Sequence, residues 1–309
     1  MTIAVLAGGT GSIKLVRGLA VIEKDIVVIC NVGDNMWIHG LYVCPDIDTI
    51  IYGLANMLDQ KRGWGIKGDS FQCLAQMRKI GAPSWFSLGD KDLATHLIRT
   101  SMIKDGKSLS EITSFFRKRY SISAQLIPAT DRELTTSIVT TNRGDMHLQE
   151  FWVKHKGRPA VRGIRYDNAS RATANPAAID AIKRCRAVVI APANPVSSIG
   201  PIIALSDLRK ELAQNRDKVI AISPLIGRRA LSGPAVKYMR ALRLESSPVG
   251  VAKHYRDFVS KFIISRKDHR MKLQIEALGM HVYESNITMK ARSDEVRLGM
   301  HLLKMVEKD

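Results

Sequence analysis

Four stretches of this chain carry residue types and spacings suited to chemistry on an anionic substrate. The first is Gly8-Gly9-Thr10-Gly11, directly after an apolar run. Glycines let backbone N–H groups approach a phosphate closely, and a helix N-terminus behind them favours negative charge. The run is neither GxGxxG nor the lysine-containing loop of NTPases, so those fingerprints are absent. The second is a set of acids: Asp34, then Asp46 and Asp48 within Pro45-Asp46-Ile47-Asp48-Thr49. Carboxylates two residues apart beside a phosphate loop suit a hard cation such as Mg²⁺. One of them can instead accept a proton from an attacking hydroxyl, or Asp46 can simply cap a helix starting near Ile47. The third is Leu88 to His96, where Lys91 is placed to meet a phosphate and His96 lies one turn beyond Asp92; a solvated, capped helix start explains the same residues. The fourth is Ala191 to Pro201, whose Asn194, Ser197, Ser198 and backbone near Gly200 offer donors. The parallel loop Ser223 to Arg229 adds two guanidiniums, Arg228 and Arg229, suited to phosphate.

The elements that must position these stretches read as alternating strands and helices. Thr2–Ala7 is a strand, with Ser12 as the cap of a helix over Ile13–Ile22, and Ile26–Val32 is a second, largely apolar strand. Further on, the pattern predicts a helix around 179–185 and a strand over 187–191. A helix to Leu208, a strand over 218–222 and a helix over 236–244 follow. A last strand at 281–284 and an amphipathic helix over 294–306 close the chain. The rhythm predicts an α/β, Rossmann-like parallel sheet with helices on both faces. The middle differs: 49–119 reads as mostly helical. Residues 136–141 and 146–155 then alternate as strands around the hairpin turn Asn142-Arg143-Gly144-Asp145. The expected organisation is one domain over 1–309, with a core of about 1–50 and 171–309 and a mixed helical and β-hairpin insertion over about 51–170.

Composition narrows the class of partner. The 309 residues are 45% hydrophobic and 25% charged, which is globular rather than disordered. Lys and Arg number 47 against 29 Asp and Glu, a formal net charge of +18. Residues 223–272 supply half of that excess, with twelve Lys and Arg against Glu245, Asp257 and Asp268. Such a balance favours anionic partners, but no nucleic-acid motif accompanies it and aromatics are only 6%. A basic face that steers anionic substrates is the preferred reading. The four cysteines form no CxxC pair, and the apolar settings of Cys30 and Cys185 suggest buried thiols in a reducing compartment. No apolar run approaches the length of a membrane helix and the N-terminus reads as a first strand, so a cytoplasmic protein is expected.

Taken together and in order, GGTGSIKL (8–15), NVGDN (31–35), PDIDTIIYGL (45–54), WGIKGDSF (64–71), LGDKDLATH (88–96), APANPVSSIGPI (191–202) and SPLIGRRALSGPA (223–235) resemble the CofD family. These are the 2-phospho-L-lactate transferases of coenzyme F-420 biosynthesis. The resemblance implies transfer of a phospholactyl or phosphoenolpyruvyl group from a guanosine diphosphate-linked donor, such as lactyl-2-diphospho-5′-guanosine. The acceptor would be the ribityl hydroxyl of 7,8-didemethyl-8-hydroxy-5-deazariboflavin, with GMP leaving and Mg²⁺ required. It implies deazaflavin contacts from Asp48 and Lys91, and catalytic roles for Asp48 and Asp46. A nucleotide site at Gly8, Gly9, Thr10, Gly11, Asn194, Ser198, Gly227 and Arg228 is also implied, with metal ligands among Asp34, Asp46 and Asp48. A homodimer is the family's usual state. Asn35 stands where an acid is common after NVGD, leaving one fewer potential ligand. Asp48→Ala is expected to abolish transfer with the fold intact. Two rival readings are a nucleotide-sugar-binding regulator of the same superfamily without transferase activity, and a basic RNA- or DNA-binding protein.

Overall fold

The structure is a computed structural model that describes residues 2–231 and 233–307. Seven strands form its central sheet, and they are numbered here in chain order: β1 (Ile3–Ala7), β2 (Ile26–Cys30), β3 (Gln125–Pro128), β4 (Ala187–Ile190), β5 (Val219–Ile222), β6 (Lys261–Ser265) and β7 (His281–Ser285). Every pairing is parallel, and the spatial order is β7-β6-β5-β4-β1-β2-β3. Val5 sits between Val28 and Val189, at the middle of the sheet. The β1 side chains are all fully buried, as the unbroken apolar run requires of a strand covered on both faces. The order reverses direction between β1 and β4, so the loops after these two strands face each other across a switch-point crevice. Gly8–Ser12 follows β1 and the Ala191–Gly200 loop follows β4.

The helix after β1 differs from expectation in where it starts. It spans Gly9–Ile22, so the glycines form its first turn rather than a separate loop, with extended Gly8 as N-cap. Ser12 lies inside the helix, accepting from the Gly8 N–H and donating to the Gly8 carbonyl, both at 2.9 Å. Two neighbouring helices hold this one through glycine contacts. A Cβ on Gly53 of the Pro45–Leu54 helix would stand 2.1 Å from Ile13, and one on Gly18 would stand 2.2 Å from the Glu295 carbonyl of the Arg292–Val306 helix. Buried Arg17 pairs with buried Glu295 across the second of these contacts.

The middle of the chain holds helices at Pro45–Leu54, Gln72–Lys79, Asp90–Lys104 and Leu109–Arg119, in keeping with the helical reading. Three features went unread. A hairpin, Met36–Ile38 with Leu41–Val43, turns through His39 and Gly40 at φ +53° and +75°. β3 lies within 51–170 yet pairs with β2 at the sheet edge, so that stretch shares the core sheet. Finally, the Thr135–Thr140 strand pairs with Asp145–His147 and also with Val161–Asp167. The expected strand to residue 155 stops at His147, and Glu150–Lys154 forms a π-helical turn that buries Phe151 completely. Cys30, Cys44 and Cys185 are buried free thiols, and no described helix is long and apolar enough to cross a membrane.

The Gly18 contact is testable. Because the added methyl would meet backbone rather than a yielding side chain, Gly18→Ala is expected to destabilise by about 2–3 kcal/mol. That should appear as a Tm lowered by roughly 4–8 °C in a thermal melt.

Candidate active site at the switch-point crevice

A cleft of about 360 Å³ opens at the C-terminal ends of β1 and β4, lined by Gly8 to Gly11, Asp34, Asp46, Asp48, Ala193, Asn194, Ser197 and Ser198. At its floor the Asn31 amide, fully buried, donates to Asp46 Oδ2 at 2.8 Å, to Asp34 Oδ1 at 3.2 Å and to the Ser197 carbonyl at 3.2 Å. Gln149 donates to the other Asp34 oxygen at 3.0 Å. The two carboxylates are buried and have no cationic partner among the described residues. Burial, then the charge of Asp46, pushes Asp34 well above the ordinary carboxylate range, against the bonds from Asn31 and Gln149. Burial pushes Asp46 up to about 6, opposed by Asn31. Two uncompensated carboxylates sharing one site fit a hard divalent cation, which needs few protein oxygens when substrate phosphates complete its shell. Asp46 also lies against the helix start. A Cβ on Gly8 would stand 2.5 Å from Asp46 Oδ2, and Gly9, at φ +68°, also faces that carboxylate. Asp46 does not cap its own helix, which begins at Pro45 with no side-chain cap.

Asp48 belongs to a different cluster. Residues two apart on a helix do not face each other, and Asp48 turns instead to the Asp90–Lys104 helix. There Arg99, 1% exposed, binds both its oxygens. The Arg99 guanidinium also stands 3.0 Å from His96 Nδ1. His96 Nε2 stands 3.2 Å from Asp92 Oδ1, and Tyr52 donates to the same oxygen at 2.6 Å. Burial tends to raise Asp92, but His96, Tyr52 and the Arg99 charge bring it below its ordinary value. Of the three acids expected among the metal ligands, Asp34 and Asp46 converge on Asn31, while Asp48 pairs with Arg99. Among the described residues no three His, Cys, Asp or Glu are grouped to hold a metal. Asp48→Ala would also leave a buried guanidinium unpaired, a loss of about 3–5 kcal/mol, so an intact fold is not expected of it.

Other expected residues divide between the cleft and its supports. Asn194 and Ser198 line the cleft as anticipated, and Asn194 Oδ1 shapes its own loop by accepting from the N–H groups of Val196 and Ser197. Lys91 is exposed and outside the lining, its ammonium on the Gly68 carbonyl. Gly227 and Arg228 also fall outside the lining. They form the turn of a short hairpin, with the Gly227 N–H on Asp268. The WGIKGDSF and LGDKDLATH motifs cap one another. Asp69 accepts from the N–H groups of Lys91 and Asp92, and Asp90 accepts from those of Gln72 and Cys73. A Cβ on Gly89 would stand 2.2 Å from the Asp69 carboxylate, which accounts for that glycine.

The lining also includes the apolar side chains of Trp64, Phe86, Leu148 and Trp152. Trp64 and Trp152 are 40% and 44% exposed, unusual for residues lining a cleft. Trp64 is held by Arg62, stacked 5.1 Å from its ring, and by Thr10, which donates to the Gly63 carbonyl. Arg99, Gln149 and Trp152 lie outside the motifs of the sequence, while Asn31 and Trp64 open NVGDN and WGIKGDSF without a role assigned to them there. Asn31 alone had a local signal, an amide at the end of a wholly apolar strand.

Three comparisons bear on this arrangement. Residues 3–303 match the family described as 2-phospho-L-lactate transferase CofD. The chain is 39% identical to the 2-phospho-L-lactate transferase of Methanopyrus kandleri, covering 99% of this chain and 98% of that one. It is 38% identical to the Methanosarcina mazei protein of the same name, covering 92% and 94%. Among solved structures, a UPF0052-family protein of Bacillus halodurans superposes with a TM-score of 0.65 at 14% identity, covering 98% and 99%, which shows a shared fold. With a family match over nearly its whole length and relatives this similar, the chain belongs to the CofD family of 2-phospho-L-lactate transferases.

Proposed function

We propose that this transferase moves a phospholactyl or phosphoenolpyruvyl group from a guanosine diphosphate-linked donor to the ribityl hydroxyl of 7,8-didemethyl-8-hydroxy-5-deazariboflavin, releasing GMP. The observation that carries the reading is the pairing of two opposed chemistries in one cleft. One part of its lining presents a glycine helix start and uncompensated carboxylates for a metal-bound diphosphate. Another presents Trp64, Phe86 and Trp152 for a flat heteroaromatic ring. Asp34 and Asp46 would hold Mg²⁺, which when bound offsets negative charge on the phosphoryl group. Asp48, held as a fixed anion by Arg99, accepts the hydrogen bond of the attacking hydroxyl and orients its lone pair. A bond forms from that oxygen to the donor phosphorus, and the bond to the GMP oxygen breaks with its electron pair. The hydroxyl proton is released to solvent as the bond forms, with Asp48 accepting its hydrogen bond and aligning the oxygen. Positioning outweighs basicity in such transfers, so a carboxylate tied to a guanidinium suits the task.

The test is GMP release and product mass with purified protein, Mg²⁺, the deazaflavin and each guanylated donor offered separately. Added mass on the deazaflavin is expected with one donor, and no product with any donor would refute the reading. Asp48→Glu, which keeps the charge beside Arg99 but displaces the carboxylate by a methylene, is expected to lower kcat at least about 100-fold while the protein stays folded by circular dichroism.

Asp46 gives a pH prediction. Its folded pKa, about 6, lies above the ordinary 3.8. Its favourable contribution is therefore present below about pH 4 and lost as pH rises through about 6. The metal-free protein should lose on the order of 2 kcal/mol across that window. Excess Mg²⁺ should raise Tm at pH 7 more than at pH 5. Asp46→Asn should raise the metal-free Tm at pH 7 and remove the Mg²⁺ response.

A further inference from the structure

Two buried donors in the cleft wall lack a partner among the described residues besides His96 Nε2, which faces Asp92: Nδ2 of Asn194 and the hydroxyl of Tyr238. Asn194 was already expected at the nucleotide. Tyr238 was not singled out, and its position is unusual. It is 1% exposed and lies on the Ala235–Ala241 helix, just after Gly233 and Pro234, which also line the cleft. Its hydroxyl is near enough to Asp34 for that charge, after burial, to raise its pKa.

The ring is held firmly. It packs against Phe151 with centroids 6.0 Å apart, and Phe151 belongs to the turn beside Gln149, which binds Asp34. The neighbouring Lys237 bonds the carbonyls of Gly157 and Pro159 and lies over the same Phe151 ring. A hydroxyl buried without a partner is destabilising, and phenylalanine would fill the same space without that cost. A donor fixed in the wall of the cleft that Asp34 and Asp46 also line is suited to an oxygen of the ligand bound there. The ligand's own carboxylate would be repelled there, whereas a phosphoryl oxygen shared with a cation would not.

We propose that Tyr238 is a catalytic residue whose hydroxyl donates to a non-bridging oxygen of the phosphoryl group transferred at the Asp34–Asp46 pair. The inference rests on the transferase reading and adds a contact to it. Tyr238→Phe is the test, by steady-state kinetics with the deazaflavin and the active donor, together with thermal melts. The expected result is a kcat lower by roughly 30-fold or more, a KM for the deazaflavin within about twofold, and a Tm equal to or above wild type. A kcat within about threefold of wild type would overturn the proposal. So would a lowered Tm with proportionate loss of activity, because the hydroxyl would then serve the fold. If the wild-type protein transfers from no donor, the transferase reading fails separately, and calorimetric titration of Mg²⁺-pyrophosphate decides Tyr238. Binding weaker by about fivefold or more in Tyr238→Phe supports the contact, and equal affinity overturns it.

Discussion

The crevice depends on one buried amide. Asn31 ends β2, and its Nδ2 reaches the Asp46 helix, the Asp34 turn and the loop after β4. Its Oδ1 accepts from the Gly33 N–H at 2.9 Å and so shapes the turn that presents Asp34. No other neutral side chain of this size supplies a donor to two carboxylates and an acceptor for its own loop. A carboxamide binds them without neutralising them, which an arginine would not do. The negative charge thus stays available for a ligand. The cost is two acids held in a buried place where both resist ionisation together.

Close backbone approach is the second constraint, and it explains glycines in motifs that lie far apart. Gly8 must admit the Asp46 carboxylate, Gly89 the Asp69 carboxylate, and Gly18 and Gly53 the neighbouring helices. In each case a methyl would occupy space already filled. The first helix is consequently fixed on two sides, and its N-terminus cannot drift from Asp46. Rigidity there matters because a helix end stabilises an anion only within its first turn.

Much of this was legible beforehand, and the reasons differ by residue. The parallel sheet showed in runs such as Ile26–Cys30, whose side chains have nowhere polar to point. The two crevice loops followed from strand ends. β3 did not, because Gln125–Pro128 is short, carries a proline and makes sense only beside β2. Lys91 lies outside the cleft lining, and its position was hard to read for a related reason. A charged residue at a helix start resembles a ligand contact, and only the distant Asp69 cap shows why the chain turns there. Gly227 and Arg228, expected at the nucleotide, form the turn of a short hairpin beyond their strand's end, a turn that no local pattern announced.

The separation of Asp46 from Asp48 is the case where spacing alone misled most. Read as a loop, PDIDT offers two carboxylates to one ion. Wound into a helix from Pro45, successive alternate residues diverge by roughly 200°, so each must find its own surroundings. Asp46 meets an amide and a helix start, neither of which carries a full positive charge. Asp48 meets Arg99 and is saturated by it. The same motif thereby yields one carboxylate suited to recruiting a cation and one held as a fixed anion beside it. In the transfer proposed above that division is apt: the carboxylate proposed to hold the metal is short of positive charge, whereas the one proposed to orient the nucleophile does not compete for the metal.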